Sequence, residues 1–581
     1  MNSFVGRKVT GRLFFVNKQN QKLWFNGKFY GQCYSSILYS QIENVEIPNI
    51  TIPEYIFKSF EKYPNKIALE CIVTGKKYSF KDVRHKSLNI SKNFRKILKL
   101  RKGDVIAIIL PNVPELPVCL LGALQAGLIT TTVNPSYTAD EIARQLSDSN
   151  AKAIITLAST CPTVLAATKL VKKNIPILAV KAKQSDEILR GIINLHEFIE
   201  ATSEDDGVPE IQAGDVALLP YSSGTTGLPK GVQLTHRNIV ANLCQLSADE
   251  LIHWAFPSET LDNVVPAILP MFHIYGITNV ALTHLKSLSK IICVPKFTPE
   301  IFINVLEKHK PNVLYIVPSM VSFMSNEPLV KQEFFKPITA IVCGGAPLGK
   351  QDEERLLTKA LKDIDVLQGF GLTETSPAVC MASATKKKKL GFTGSVGGLL
   401  PNTCAKLIST DDDHREICGP NELGEILVKG PQVMKGYLNR IEATNNAFLD
   451  GWLRTGDVGY YDDNEMFYIT DRFKDLIKVS GFQVAPAELE EVIRGHKDVS
   501  EVCVIGIPSE RFGEVPRAYV VPKLNSKINV EELKEYVSSM LIDYKHLRGG
   551  VALMNTLPRT ASGKIARNDL RLQYASKLSE T

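Results

Sequence analysis

The sequence predicts an α/β fold: a large multi-lobed N-terminal α/β domain with a β-rich subdomain, followed by a small α+β C-terminal domain. Three observations carry this reading. Nearly unbroken apolar runs such as Val105-Ile106-Ala107-Ile108-Ile109-Leu110 and Ala153-Ile154-Ile155-Thr156-Leu157 alternate with segments of helical period from about residue 47 to about residue 400. A strand that is apolar on both faces is buried on both faces, which is the condition of a parallel sheet covered by crossover helices. Gly/Pro punctuation and short alternating runs over 400–470 then read as a smaller β-rich piece. Beyond residue 471 a helix at 487–495 mixes with strands at 502–507 and 518–522. The expected division is 1–40, 41–470 and 471–581; at 581 residues one core would be too large, so several lobes are required.

The elements follow in chain order. The first 42 residues hold six basic side chains (Arg7, Lys8, Arg12, Lys18, Lys22, Lys28) and no acid, the charge bias of a mitochondrial presequence. Phe14-Phe15-Val16, Trp24-Phe25 and Phe29-Tyr30, interrupted by Gly and Asn, are strand-like rather than amphipathic-helical. Residues 1–40 are therefore a basic N-terminal extension, with a presequence and a poorly ordered segment both left open. The uncharged stretch 116–133 contains Pro117, Gln125 and three threonines, so it reads as a buried helix and strand rather than a membrane span. The run Lys386 to Lys389 sits between a Ser/Ala/Thr stretch and a Gly-rich one and reads as a solvated loop.

Composition excludes several classes. A net charge of +7 from 68 basic and 61 acidic residues, without clustered Lys/Arg and interleaved aromatics, argues against a nucleic-acid partner. Eleven cysteines scattered from Cys33 to Cys503 without CxxC spacing show no metal or disulfide pattern and fit a reducing compartment.

The segment with the clearest chemistry is Tyr221-Ser222-Ser223-Gly224-Thr225-Thr226-Gly227-Leu228-Pro229-Lys230-Gly231, which follows the apolar Val216-Ala217-Leu218-Leu219-Pro220. Glycines let the backbone turn its N–H groups toward an anion, the hydroxyls of Ser222, Ser223, Thr225 and Thr226 add donors, and Lys230 adds charge. Polyphosphate binding follows. A flexible Ser/Gly linker would need neither the preceding strand nor the Pro-Lys-Gly end, and the spacing of a Walker A loop is absent.

Further segments run in a fixed order: Pro270-Met271-Phe272-His273-Ile274-Tyr275-Gly276, Gly344-Gly345-Ala346-Pro347-Leu348, Gln368-Gly369-Phe370-Gly371-Leu372-Thr373-Glu374 and Trp452-Leu453-Arg454-Thr455-Gly456-Asp457. After them come Asp471-Arg472-Phe473-Lys474-Asp475-Leu476-Ile477-Lys478, Gly481-Phe482-Gln483-Val484-Ala485-Pro486-Ala487-Glu488 and Pro558-Arg559-Thr560-Ala561-Ser562-Gly563-Lys564. Together with the phosphate loop, over roughly residues 40–570, these resemble the adenylate-forming (AMP-dependent synthetase/ligase) superfamily. The similarity is to its 4-coumarate:CoA ligase-like, acyl-CoA synthetase and luciferase-like branch.

That resemblance implies an acid–thiol ligase using ATP, Mg2+ and coenzyme A, with a C-terminal domain that is mobile. A carboxylate and a triphosphate are both anionic, so cations must neutralise charge before the reactants can meet. By resemblance, Ser222, Ser223, Gly224, Thr225, Thr226 and Lys230 cradle the triphosphate, and Glu374 and Thr226 hold Mg2+. Ala346, Gln368, Gly369 and Thr373 line the nucleotide and acyl-phosphate region. Asp457 accepts the ribose hydroxyls, with Arg472 behind it. Lys564 is the adenylation lysine, Lys474 lies at the hinge, and Lys478, Ser480, Gly481 and Gln483 serve the thioester half. Ser480 departs from the Lys-Tyr-Lys-Gly usual in the nearest branch, which puts the phosphate contacts of CoA in doubt. His273 stands beside the carboxylate tunnel, Tyr275, Asn279, Gly345 and Gly369 are pocket residues, and His236 and His253 are structural.

The expected substrate is a small-molecule carboxylic acid, fatty or aryl. Val342 stands where hydroxycinnamate ligases often carry a Lys, so an unpaired phenol hydroxyl would be disfavoured and a fatty or unhydroxylated aryl acid is expected. The alternatives are a luciferase-like adenylating oxygenase, disfavoured by Phe272, and a carrier-protein-loading module, which would need a carrier domain. Ser576-Lys577-Leu578, a peroxisomal address only at the extreme C-terminus, is followed by three further residues, so a cytoplasmic protein is expected, with mitochondrial as the alternative suggested by the basic N-terminus and peroxisomal disfavoured. A monomer or homodimer without a transmembrane segment completes the expectation.

Overall fold

The computed structural model describes residues 36–183, 185–201, 207, 209–222, 229–391, 393–409, 415–417, 419–472, 475, 477–479, 482–484, 486–509, 511–541, 543–560 and 563–579. At 389, 471, 472, 478, 482, 483 and 577–579 it describes the backbone alone, as it does for four short strands within residues 4–32. Among these residues the strands form six sheets.

The apolar runs are central strands, as their pattern demands. Val105–Ile109 and Ala153–Leu157 pair in parallel, and Ile177–Val180, Ile193–Asn194 and Ile129–Thr132 extend the same ladder. Val216–Leu218 joins Ile129–Thr132 in parallel. The sheet then turns antiparallel through Lys230–Thr235, which pairs with Val216–Leu218, Tyr221–Ser222 and Gly436–Tyr437. A second sheet sets Val264–Ala267, Lys290–Cys293 and Ile67–Cys71 in parallel. A third runs Val313–Ile316, Ala340–Cys343, Asp365–Gly371, Ala378–Met381 and Gly398–Leu399, its first three strands parallel. Residues 116–133 contain the buried end of helix Glu115–Gln125 and the strand Ile129–Thr132, as expected from their polarity.

The β-rich piece is an antiparallel sheet built on Cys404–Ile408, Gly424–Lys429, Trp452–Tyr461 and Phe467–Arg472. The last sheet holds Phe482–Val484, Ile477–Val479, Gly513–Pro522, Val499–Ser509 and Val551–Leu553, with helix Pro486–Arg494 against it. Buried apolar side chains from Leu38 to Phe467 form one large cluster and three smaller ones, whereas those from Ile477 to Leu570 form clusters of their own. We refer to these as the large and small units.

Two expectations change. Residues 4–32 contain the strands Phe4–Val9, Arg12–Asn17, Lys22–Phe25 and Lys28–Gln32, paired as an antiparallel meander, so the strand-like runs outweigh the basic bias there. Lys386 to Lys389 are not a solvated loop: they lie in helix Ala384–Leu390, which Ser383 caps through the Lys386 N–H. Lys387 pairs with buried Glu353, Lys388 with Asp365 at 2.9 Å and Lys386 with Glu250 at 3.9 Å. The run is basic because acidic partners face it from three other segments. Among the described residues no helix is long and apolar enough to cross a membrane.

Candidate active site

A cleft of about 1040 Å3 collects the sequence motifs. Its phosphate side is anchored by local chemistry. Thr235 and Asn238 form a reciprocal capping box that starts helix His236–Leu246 and so ends strand Lys230–Thr235 at a defined place. The Asn238 amide also donates to the carbonyls of Pro431 and Val433, at 2.8 and 2.9 Å, and thereby holds the segment leading to Tyr437. Strand pairing puts Ser222 opposite Lys230 and Val232 opposite Tyr437. Residues 223–228, which include Ser223, Gly224, Thr225 and Thr226, lie outside the described residues, but both ends of that loop are fixed on one antiparallel ladder.

Glu374 faces this ladder from the turn Thr373–Thr375, at the end of strand Asp365–Gly371. Its Oε1 accepts from Ser222 Oγ at 2.8 Å and from the Tyr437 hydroxyl at 2.9 Å, and its carbonyl accepts from the Met434 N–H at 2.8 Å. Lys230 Nζ sits 5.2 Å from the centre of the Tyr437 ring, within cation–π range. Two segments distant in sequence, at Ser222 and Tyr437, therefore converge on one buried carboxylate. Carboxylate and hydroxyl oxygens are the donors that a hard divalent cation takes.

The opposite wall is apolar. Phe272, Ile274, Tyr275, Val317, Val342, Phe370 and Met381 line it together with Gly344 and Gly345. The Tyr275 hydroxyl donates to the Val342 carbonyl at 3.4 Å, and burial pushes its pKa far up, so it stays a neutral phenol. A methyl placed on Gly344 would lie 3.1 to 3.2 Å from the Tyr275 ring and hydroxyl, so the absent side chain gives Tyr275 its room. Asn279 projects from the helix Gly276–Leu282, lines the cleft, and keeps its Oδ1 buried without a hydrogen-bond partner among the described residues.

His273 lies between the two sides. Its Nδ1 accepts the Tyr275 N–H at 3.3 Å, which leaves the ring proton on Nε2. Burial pushes its pKa down to about 4, and the nearby Lys564 ammonium adds to the depression. The ring is thus neutral at physiological pH. His236 and His253 behave as structural histidines: His236 Nδ1 accepts the Ile52 N–H at 3.2 Å, and His253 bridges the Leu251 carbonyl and the Tyr315 hydroxyl at 2.9 Å each.

The small unit contributes Thr560 and Lys564 to the cleft. Lys564 ends a tight turn in which the Thr560 N–H donates to the Lys564 carbonyl at 2.7 Å and Gly563 adopts φ +83°. Arg559 braces the turn through the Gly563 carbonyl, at 3.0 Å, and through Glu501, at 2.8 to 2.9 Å. A methyl on Gly345 would meet Lys564 Cε at 3.2 Å, so the lysine stem passes directly over that glycine. Lys564 consequently lines the cleft beside Gly345 and close enough to His273 to act on its charge. Lys478 occupies strand Ile477–Val479, between Phe482–Val484 and Gly513–Pro522 and opposite Gln483.

Other expected residues are placed as follows. Gly345, Gly369 and Thr373 line the cleft. Gln368 does not: it is buried and clamps Leu348, accepting from its N–H at 3.0 Å and donating to its carbonyl at 3.1 Å. Its role is to fix the loop that carries Gly344 and Gly345. Ala346 is exposed just outside the lining. Asp457 is buried opposite Arg472 in the strand pair, directly after the cleft-lining Arg454, Thr455 and Gly456. The side chains of Arg472, Lys478 and Gln483, and the whole of Lys474, Ser480 and Gly481, lie outside the described residues.

Sequence reading missed Tyr437 and Glu425. Glu425 holds Arg454 through both carboxylate oxygens, with contacts of 2.5 to 3.2 Å, and both residues line the cleft. The apolar run Ile426-Leu427-Val428 marks a strand, but nothing local marks the partner of Glu425.

Comparison with known proteins agrees with this geometry. The family model described as AMP-binding enzyme matches residues 56–438, and that described as AMP-binding enzyme C-terminal domain matches residues 488–564. Among curated relatives, 4-coumarate–CoA ligase 1 of Arabidopsis thaliana is 36% identical over 548 residues, covering 93% of this chain and 96% of its own length. 4-Coumarate–CoA ligase 3 of Oryza sativa subsp. japonica is 35% identical over 545 residues, covering 93% and 95%. Among solved structures, ATP-bound MatB of Rhodopseudomonas palustris superposes with a TM-score of 0.79 at 27% identity, covering 90% of this chain and 99% of that one. The o-succinylbenzoate CoA synthetase of Bacillus subtilis, in complex with its acyl-adenylate intermediate, gives 0.73 at 27% identity, covering 89% and 98%. A chain matched by the family model over residues 56–438 and by these proteins over nearly its whole length, with a lysine of a separate small unit lining the cleft of the large one, belongs to the AMP-binding enzyme family.

Proposed function

We propose that the cleft joins a carboxylic acid to coenzyme A in two steps. The chain is an ATP-dependent acid:CoA ligase that uses ATP, Mg2+ and CoA. In the first step a carboxylate oxygen attacks the α-phosphorus of ATP, the bond to the bridging oxygen breaks, and pyrophosphate leaves. In the second step the CoA sulfur, having given up its proton, attacks the acyl carbon, and AMP leaves with the bonding pair. The observation that carries this reading is that Lys564, from the small unit, lines the same cleft as Ser222, Lys230 and Glu374, with its stem over Gly345.

Each residue then has a physical task. Lys564 and Lys230 offset the repulsion between carboxylate and triphosphate, which is the dominant electrostatic cost of bringing two anions together. Residues 222–226 turn hydroxyls and backbone N–H groups to the phosphates. Glu374, with Ser222 and Tyr437 holding one of its oxygens, fits a magnesium ion, and Thr226 would add a hydroxyl; Mg2+ when bound neutralises phosphate charge. His273, neutral and fixed by the Tyr275 N–H, orients the carboxylate end of the acid without adding a competing charge. Asp457 and Arg472 secure the ribose. Lys478, Ser480, Gly481 and Gln483 serve the thioester step after the small unit turns about the region of Lys474. The working domain division remains 1–40, 41–470 and 471–581.

The apolar wall supports a fatty or unhydroxylated aryl acid, because Val342 and Val317 offer a ring hydroxyl no partner. Nine cysteines of the described residues are free thiols, which supports a reducing, cytoplasmic setting. The test is pyrophosphate release over an acid panel, with and without CoA. Release on a fatty or plain aryl acid, with thioester appearing only when CoA is added, is expected; a clear preference for 4-coumarate overturns the substrate assignment, and release without any thioester overturns the ligase.

A further inference from the structure

The small unit touches the large one at a second place, away from the cleft. Helix Lys350–Ala360 follows directly on the Gly344–Leu348 loop, and helix Pro486–Arg494 of the small unit lies against its N-terminal end. Arg355 Nη2 donates to the Arg494 carbonyl at 3.2 Å, so a large-unit cation closes the carbonyl end of a small-unit helix. Asp352, buried, has Arg355 Nη1 at 3.6 Å on its own helix and Arg494 Nε at 3.9 Å across the junction. Arg494 is itself held by Glu491, at 3.1 Å. The approach is close: a methyl on Gly349 would fall 2.1 Å from Glu491 Oε2, and one on Gly495 would fall 3.1 Å from Gln351 Nε2.

Contact at Gly349 and Gly495 fixes how near the two helices come, while the Asp352–Arg355–Arg494 group fixes their lateral position. Because Gln368 clamps Leu348, the large-unit side of this junction is rigidly coupled to Gly345, over which Lys564 lies. The small unit is thus docked at two points, and the helix junction carries the polar contacts that loosening would break.

We propose that Asp352, Arg355 and Arg494 form a latch between the units, positioning residues that hold Lys564 in the cleft and so set the balance between the two half-reactions. The proposal rests on Lys564 being the adenylation lysine. Weakening the latch leaves both units folded, since each has its own buried apolar clusters, but lowers the share of molecules with Lys564 seated. Adenylation slows, and the thioester step, which uses another face of the small unit, is spared or speeded.

The test uses the full chain with Asp352→Asn, Arg494→Ala, Arg494→Lys and, in parallel, Lys564→Ala. Adenylation is read as pyrophosphate release without CoA, and the second step as thioester formation from presynthesised acyl-adenylate and CoA. The distance between nitroxides on unnatural residues at exposed Thr358 and Glu535 reports docking. Asp352→Asn and Arg494→Ala are expected to slow adenylation about 3- to 10-fold, the range for partly buried ion pairs, with the thioester step unchanged or faster. The inter-nitroxide distance is expected to broaden, and Arg494→Lys to recover most of the loss. Equal slowing of both steps, or an unchanged distance distribution in both variants, overturns the latch whatever Lys564 does. Full adenylation by Lys564→Ala instead overturns the lysine assignment, and it does so without reference to the distance measurement.

Discussion

The walls of the cleft and the loop that closes it are built in opposite ways. Each wall residue is held by several bonds within one continuous core: Glu374 by Ser222, Tyr437 and Met434, Tyr275 by Val342 and the space over Gly344, Arg454 by Glu425. Lys564 instead arrives on a turn of the small unit, braced there by Arg559 and Glu501. On the function proposed above, the difference teaches that the large unit decides where charge is placed and the small unit decides when it is present. A site built entirely in the first manner could not show a different face to the second step.

The sharpest way to break this comparison is to remove the arriving charge. Lys564→Ala is expected to slow pyrophosphate release about 100-fold or more, the usual cost of losing a preorganised electrostatic contact, while presynthesised adenylate plus CoA still gives thioester. Lys478→Ala is expected to show the converse, with adenylation intact and thioester formation slowed. Equal loss of both steps in both variants would mean that a single arrangement serves the whole reaction.

Next in size is a fixed wall group. Glu374→Gln keeps the shape that Ser222 and Tyr437 hold but removes the charge, so the Mg2+ concentration needed for half-maximal pyrophosphate release should rise about tenfold. An unchanged magnesium dependence would move the cation elsewhere. A smaller effect is expected where the two kinds of construction meet. Gly345 has φ +85° and lies under the Lys564 stem, so Gly345→Ala adds about 1 kcal/mol of backbone strain and crowds the lysine. Adenylation should slow several-fold more than the thioester step, and a melting temperature lowered without that asymmetry would show strain alone.

The smallest effect concerns acid. Burial pushes His273 down to about 4 from an ordinary value near 6.5, so above 6.5 folded and unfolded chains are both neutral there. As pH falls from about 6.5 toward 4, the unfolded chain takes up the proton and the folded one does not, so stability present at neutral pH is lost through that window. His236 and His253, also pushed down to about 4, act in the same direction, and all three belong to the large unit. His273→Asn should therefore flatten the pH dependence of the melting temperature by one proton, about 1.4 kcal/mol per pH unit at most. An unaltered slope would show that His273 takes up its proton alike in the folded and unfolded chains.

Much of this was legible in the sequence because the apolar runs and the motif order are local signals. A wholly apolar strand has to be central, and a Gly-rich loop after it has to face an anion. What was not legible depends on partners distant along the chain. Tyr437 sits in a two-residue strand whose only mark is its pairing with Val232, about two hundred residues earlier, and Gln368 looks like a ligand until its bonds to Leu348 are seen. The Lys386–Lys389 run read as solvated because Glu353 and Asp365 are brought to it by the fold and not by sequence neighbours.

The separateness of the small unit's buried clusters has a consequence in terms of concentration. A unit that folds around its own core could dock as an independent molecule, and a junction of a few half-buried polar contacts would then bind only weakly. On one chain, however, the short connection from strand Phe467–Arg472 to strand Ile477–Val479 keeps it near the cleft at an effective concentration on the order of millimolar. On the proposed two-step reading, docking is then favourable enough to be populated and weak enough to be released each turnover. The covalent link, more than the strength of any contact, is what allows Lys564 to be both present and removable.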